Sequence, residues 1–420
     1  MSRYALLGLA VIDFTRVGAG PTCTMLLADM GADVVKVEPL DGELGRKLGP
    51  AWIGPDSALF HGLNRNKRSP ALDLKSKQGA EIARKLVAGA DIFVESMRPG
   101  VMERLGLGAS ALSEINPRLI YCSISAYGQN GPYAQRAGVD GVLQADSGLM
   151  SIIGMPGTEP AKVQAPVIDS FTGYVAAIGI LARLHERAAS GKGSHLDINL
   201  FSSALALQQV SLTNFFVEGQ DPDLLGSAAP YSAPNEAFQT ADGWLMLAAY
   251  NGNRWERLCD VIGLPELAGD PRFSSSPMRV TNRQEMRRAL GTAFRTRPTQ
   301  AWLDALLAAD ILCAPVARYS DLARHPQLAA SRMIASVEDP RHGRVRSPGL
   351  PIDSFEANAR PHRPAPALGE HSRELLEGLG IGTLEIEALL SAGVVGCDAM
   401  ATRRQELQSQ RAEAAPASAA

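Results

Sequence analysis

Four groups of residues carry the chemistry legible in this chain. Gly18-x-Gly20, between an apolar run and a helical pattern, is a turn through which backbone N–H groups approach phosphates, and Glu38 stands where a ribose-binding acid would follow. The motif is incomplete: Cys23 holds the third glycine position and Pro21 removes one N–H, so a turn for another ligand or for packing fits better than a dinucleotide site. Asn64-Arg65-Asn66-Lys67-Arg68 puts three cations within four residues, able to clamp phosphates or simply to form a solvated charge run. Arg98 and Arg104, flanking Pro99-Gly100, carry the same two readings. Asp169 precedes a small-residue helical stretch and reads as its N-cap, while Asp140, between Val139 and Gly141, reads as a turn residue. The seven histidines show no short-range pairing that would build a metal site, and neither a Gly-x-Ser-x-Gly elbow nor a Walker loop occurs.

The elements that must position these residues alternate. Residues 5–12 form a continuous apolar run, the pattern of a parallel strand covered on both faces. Pro21 is then placed to open a helix over 22–30, Gly31 stops it, and 33–38 reads as a second strand. A helix over 78–90, a strand over 92–95, a short helix near 101–105 and a strand over 119–125 follow. A long small-residue helix over 172–189 and a strand over 195–200 complete the series. This alternation predicts a large doubly wound, Rossmann-like α/β domain over residues 1–200. A linker helix over 201–225 leads to a smaller α+β domain over 226–320, with strands near 231–238 and 244–249 and helices near 254–262 and 282–294. Residues 321–400 read as a return segment ending in a helix over 371–379, and 401–420 as a disordered tail.

Composition sets the bounds. With 420 residues the chain is too long for one compact core. Its net charge of −3, from 41 basic and 44 acidic side chains, supplies no global field for nucleic acid or a membrane surface. Five scattered cysteines without a CxxC pair suit a reducing cytoplasm. Residues 5–12 lack a cleavage site before Asp13 and Arg16, and the apolar stretch 174–184 is short of the ~20 residues a membrane span needs.

In combination these segments resemble the family III CoA-transferases, the group that includes formyl-CoA transferase, carnitine CoA-transferase and the divergent α-methylacyl-CoA racemases. The resemblance spans residues 5–397. It is carried, in order, by Val11-Ile-Asp-Phe-Thr-Arg-Val-Gly-Ala-Gly-Pro21, Gly31-Ala-Asp-Val-Val-Lys-Val-Glu-Pro39, Asn64-Arg-Asn-Lys-Arg-Ser69, Pro117-Arg-Leu-Ile-Tyr121 and Tyr127-Gly128. Asp169-Ser-Phe-Thr-Gly173, Gly191-Lys-Gly193 and Leu368-Gly-Glu-His371 complete it.

The resemblance implies that Asp169 is the nucleophile of a CoA transfer that runs through an aspartyl anhydride and an aspartyl-CoA thioester. It implies that Val17, Gly18 and Ala19 line the active-site end of a CoA channel and that Asp140 lies near the catalytic carboxylate. Leu72, Asp73, Lys75, Ser96, Met97, Arg98, Arg104 and Leu105 would then hold the nucleotide and pantetheine. CoA and acyl-CoA enter as substrates, with no tightly bound cofactor, and a small carboxylic acid accepts CoA, with succinyl-CoA a candidate donor. The implied assembly is an interlocked homodimer, which the linkers near 219–229 and 337–351 are long enough to allow. Three departures count against formyl or oxalyl specificity: Gly18 replaces a glutamine, Pro39 replaces a CoA-binding arginine, and a glycine-rich lid is missing between Tyr231 and Gly243. Val139 occupies the place of the racemases' histidine, which removes a second base. An NAD-dependent oxidoreductase and a non-catalytic CoA-binding protein are the rival readings.

Overall fold

The computed structural model describes residues 4–352 and 362–398; the expected tail over 401–420 lies outside them. Six parallel strands form the central sheet: β1 (Ala10–Phe14), β2 (Asp33–Lys36), β3 (Lys67–Arg68), β4 (Ile92–Glu95), β5 (Ile120–Ser125) and β6 (Ser194–Asn199). Their spatial order is β3-β2-β1-β4-β5-β6. The chain therefore winds outward from β1 in one direction and then from β4 in the other, as the alternating pattern requires. Val11, Ile92, Phe93, Val94, Ile120 and Cys122 are fully buried, which is why the three central strands open on apolar runs, at 10–12, 92–94 and 120–122, rather than alternating. Phe14, Phe93 and Tyr121 stack across three strands with ring centroids 5.1 and 4.9 Å apart.

The helices that matter for the site are α1 (Ala19–Asp29), α2 (Lys77–Ala88), α3 (Asp140–Asp146) and α4 (Val167–Ser190). Every residue of α1 is buried, because α4 packs along it. By length and composition α4 is apolar enough to cross a membrane, yet its stripe of Ile168, Thr172, Gly173, Ala176, Ala177 and Ile180 is buried within the protein.

One compact unit takes in the chain up to Leu149, Val163–Phe216 and the described part from Ser331; the other comprises Met150–Lys162 and Val217–Ala330. The second unit holds an antiparallel sheet of β7 (Asn235–Gln239), β8 (Trp244–Ala248) and β9 (Leu312–Pro315). Its core is aromatic, with Phe238, Trp255, Phe294 and Trp302 buried together.

Several local expectations shift. Gly8 turns the chain at φ +89 and leaves Leu7 exposed, so the first strand begins at Ala10, and it runs on through Asp13. Pro21 is the third residue of α1 rather than the first, a position whose N–H an α-helix leaves unpaired anyway. Residues 337–351 are mostly not linker, since Ile334–Asp339 and Gly343–Pro348 pair as an antiparallel hairpin. Behind the expected C-terminal helix, seen at Ser372–Gly378, comes a second one at Thr383–Ser391 and a strand, Val395–Gly396, that pairs with Ala71–Leu72.

Candidate active site

In a doubly wound sheet, ligands bind outside the carboxyl ends of the strands where the winding reverses, here between β1 and β4. The Thr15–Gly18 loop leaves β1 at that point and Ser96–Arg98 leaves β4. The Ser96 hydroxyl accepts the Arg16 N–H at 3.0 Å and ties the two loops together. A buried charge network holds the first loop from below. Asp13 Oδ1 accepts the Thr15 N–H and hydroxyl at 2.8 and 2.6 Å, and Oδ2 accepts Thr24 Oγ1 and Lys67 Nζ at 2.7 and 3.1 Å. Burial alone would raise the Asp13 pKa, but Lys67, Lys36 and the two hydroxyls hold it at about 2. Lys36 Nζ donates to the Thr15 carbonyl at 2.9 Å, and Glu43 Oε2 accepts the Val17 N–H at 3.1 Å. Val17 sits at φ +64, a left-handed conformation that is strained for a β-branched residue and costs about 1–3 kcal/mol.

Asp169 lies inside the first turn of α4 and not at its cap. Pro166 is the N-cap and offers no side-chain hydrogen bond. The cap comes instead from α3: Asp140 Oδ2 accepts the N–H groups of Ile168 and Asp169 at 2.8 and 3.0 Å. Asp140 is itself the first residue of a helix rather than a turn residue, and it is buried. Gln144 Nε2 donates to Asp140 Oδ1 at 2.6 Å, and the same amide grips the Val163 backbone in both directions, at 3.0 and 2.8 Å.

The Asp169 carboxylate accepts no hydrogen bond from the described residues. It lies over Gly18: a Cβ built there would stand 2.2 Å from Asp169 Oδ2. One helical turn on, at the same face of α4, a Cβ on Gly173 would stand 2.7 Å from the Ala19 carbonyl oxygen. These two glycines let α4 press against the first turn of α1, where the amides of Ala19 and Gly20 find no acceptor among the described residues. The helix N-terminus does not keep Asp169 at an ordinary carboxylate pKa, because Asp140 has taken the amides of that turn. Burial first and the Asp140 charge second push Asp169 up to about 7.

The structure brings Val17, Gly18, Ala19, Asp140 and Asp169 into one cluster, with Ser96 tied to it through Arg16. Glu95 Oε2 accepts the Met97 N–H at 2.7 Å, and burial raises that glutamic acid to about 7. Met97 and Leu105 pack, partly buried, on the core. Lys75, Arg98 and Arg104 are exposed cations with no ion-pair partner among the described residues. Asp73 Oδ1 accepts the Lys75 N–H at 3.1 Å. Leu72 does not fit a contact role through its side chain, which is buried in the core while its backbone pairs with Val395.

The Asn64–Arg68 run is neither a phosphate clamp nor a solvated surface. Arg65 grips the buried Asp29, Lys67 joins the Asp13 network, and Arg68 pairs with Asp33 and Glu374. Lys36, Glu43 and Gln144 were not singled out by the sequence. For Lys36 a signal exists: a cation closing the apolar run Val34-Val35 must find a buried partner.

This arrangement can be set against known proteins. The family model for CoA-transferase family III matches residues 6–372. The chain belongs to CoA-transferase family III. It is thus an enzyme of the transferase class. It is 36% identical over 390 residues to the succinyl-CoA:glutarate CoA-transferase of Homo sapiens, covering 92% of this chain and 89% of that protein. To the acetyl-CoA:oxalate CoA-transferase of Acetobacter aceti it is 38% identical over 371 residues, 88% of this chain and 94% of the relative. Among solved structures, a CAIB/BAIF family protein from Brucella suis superposes with a TM-score of 0.80 at 33% identity, covering 90% of this chain and all of that one. The dinucleotide reading fails on a specific residue in this CoA-transferase. Glu38 is buried, its carboxylate gripped by Arg46 at 2.7 Å through both Nε and Nη2 and by the Ser69 hydroxyl at 2.7 Å, leaving nothing for a ribose.

Proposed function

We propose that this CoA-transferase moves CoA from a short acyl-CoA, with succinyl-CoA as the first donor to test, to a small dicarboxylic acid, and that Asp169 carries the acyl relay. The observation that supports this reading is the Asp169 carboxylate lying over Gly18, beside an α1 turn whose Ala19 and Gly20 amides find no acceptor among the described residues. Moving CoA between acids without losing the thioester's free energy requires that the acyl group never meet water, and a covalent relay on the enzyme achieves that.

An Asp169 oxygen attacks the donor thioester carbonyl, and the C–S bond breaks to give a mixed anhydride and CoA thiolate. The thiolate attacks the aspartyl carbonyl, releasing the donor as a free carboxylate and leaving an aspartyl-CoA thioester. The acceptor carboxylate attacks that thioester and expels the thiolate, forming a second anhydride. Attack of the thiolate on the acceptor carbonyl completes the new acyl-CoA and frees Asp169. Each addition builds an oxyanion, for which the Ala19 and Gly20 amides are the available donors, each worth about 3 kcal/mol in such a role. Burial strips hydration from Asp169 and makes it a better nucleophile once ionised. Val139, next to Asp140, supplies no second base, which favours transfer over racemisation.

We assign Lys75, Arg98 and Arg104 to the CoA phosphates and the β4 loop, through Ser96 and Met97, to the pantetheine. We also propose a homodimer: the helix Gln209–Glu218 has no buried residue, and the apolar Phe216 and Val217 are exposed on it. Sedimentation as one species at the 44.6 kDa chain mass would oppose that. The functional reading is tested by a matrix of acyl-CoA donors and carboxylic acids, followed by mass spectrometry of the CoA products. Succinyl-CoA with glutarate should give glutaryl-CoA and succinate in equal amounts. Hydrolysis alone, with no new acyl-CoA for any acceptor, would overturn it.

A further inference from the structure

The turn that seats Asp169 is held in a conformation its own sequence disfavours. Val17 is β-branched and stands at φ +64, and it is followed by Gly18, on which the Asp169 carboxylate lies. Free of other constraints, a valine relaxes to negative φ, which would redirect the chain at Gly18 and displace the surface under the nucleophile. Two buried side chains from outside the turn prevent this. Glu43 Oε2 accepts the Val17 N–H at 3.1 Å and is itself fixed by the Gly45 N–H at 2.6 Å. Lys36 Nζ stands 3.4 Å from Glu43 Oε1 and donates to the carbonyl of Thr15, two residues before Val17. Both side chains are almost wholly shielded from water, at 0% and 1% exposure, so they are not surface charges that happen to lie nearby. Buried charge pairs are costly to assemble and add little net stability, so the local geometry this one holds, rather than stability, is where its use is to be sought.

We propose that Lys36 and Glu43 are positioning residues of the transfer reaction: they hold Val17 in its left-handed conformation and thereby fix Gly18 beneath the nucleophile, without touching substrate. The inference builds on the assignment of Asp169 as the nucleophile. Removing the Glu43 carboxylate frees the Val17 N–H, the turn relaxes, and acylation of Asp169 slows while the CoA-binding cations stay in place. Glycine at position 17 adopts positive φ at no cost. It therefore removes the need for the restraint.

The test is the single-turnover rate at which saturating succinyl-CoA converts Asp169 to the aspartyl-CoA thioester, trapped with hydroxylamine as the hydroxamate with release of CoA thiol and located by peptide mass spectrometry. Wild type, Glu43→Gln, Glu43→Ala and the double variant Glu43→Ala/Val17→Gly are compared, with KM for succinyl-CoA measured alongside. Glu43→Ala should slow labelling by tenfold or more with KM within threefold. Glu43→Gln, which keeps an oxygen acceptor, should lie between it and wild type. The double variant should recover at least half of the lost rate on a logarithmic scale, a result that a merely stabilising role for Glu43 would not give. Label on Asp169 at wild-type rate in Glu43→Ala, or no recovery in the double variant, overturns the proposal. Should Glu43→Ala fail to fold, Glu43→Gln with and without Val17→Gly gives the same comparison. Absence of label on Asp169 in the wild type would instead overturn the nucleophile assignment, so the two failures are distinguishable.

Discussion

Two carboxylates of the same sheet end meet opposite treatment. Asp13, at the C-terminal part of β1, is fully buried and accepts hydrogen bonds from Thr15, Thr24 and Lys67, with Lys36 nearby; these partners hold it at about 2. Asp169, on the first turn of α4, is less deeply buried yet accepts no hydrogen bond from the described residues, faces the like charge of Asp140 and is pushed to about 7. A buried carboxylate that is fully satisfied serves the fold, and one left without donors is available for chemistry. The contrast separates the two roles more sharply than burial does, since both acids sit in the same unit against the Thr15–Gly18 loop, Asp13 bonded to Thr15 and Asp169 lying over Gly18.

Breaking each carboxylate in turn should produce non-overlapping losses. Asp169→Asn should lower transfer by about a thousandfold or more, because an amide cannot form the anhydride. It should not cost the fold a helix cap, as that role belongs to Asp140. The linkage sign can be worked out. The folded pKa lies above the unfolded value near 4, so ionising Asp169 costs stability as pH rises through that window. The Asn variant should accordingly melt higher than wild type at pH 8, with the difference closing toward pH 4.

Asp13→Ala should do the reverse to stability. It leaves the buried Lys67 without its carboxylate partner and should cost about 3–5 kcal/mol in denaturant unfolding. Activity per folded molecule should fall far less than in Asp169→Asn.

The comparison is sharpened by pH. If Asp169 acts as an ionised nucleophile, kcat/KM should rise through about pH 7 and level off above it. Asp140→Asn removes the like charge and keeps an oxygen to accept an α4 amide, so the midpoint should move to lower pH. A midpoint that stays put would place the titration elsewhere, with Glu95 the next group to examine. The smallest effect concerns neither carboxylate. Arg98→Ala or Arg104→Ala should raise KM for acyl-CoA about fivefold, the value of roughly 1 kcal/mol for one exposed charge-assisted contact, and leave kcat within a few-fold.

The central strands and their winding were legible because a parallel sheet covered on both faces writes itself as short continuous apolar runs, as at 92–94 and 120–122. The candidate nucleophile was legible only through resemblance. On its own residues Asp169 read as an N-cap, and the true cap, Asp140, lies 29 residues earlier. A helix capped from another element leaves no local signature, because capping rules read only the residues beside the helix start. The basic run 64–68 misled for a related reason. Its partners Asp29, Asp13 and Asp33 are distant in sequence, so cations neutralised by the fold look like cations awaiting a ligand. The Lys36–Glu43 restraint was invisible because nothing in Val17 announces a positive φ; only the folded backbone shows it.

The claim that Asp169 exchanges its own oxygen with the substrates is tested most directly by isotope. Enzyme turning over succinyl-CoA with glutarate labelled with 18O in both carboxylates would be digested and its peptides weighed. In the relay described, the acceptor oxygen that bridges the second anhydride stays with the aspartyl side chain. The expected result is an 18O atom on the peptide containing Asp169 and, from later turnovers, in the released succinate. Glutaryl-CoA formed with that peptide unlabelled, or with the 18O on the peptide containing Asp140, would contradict the account.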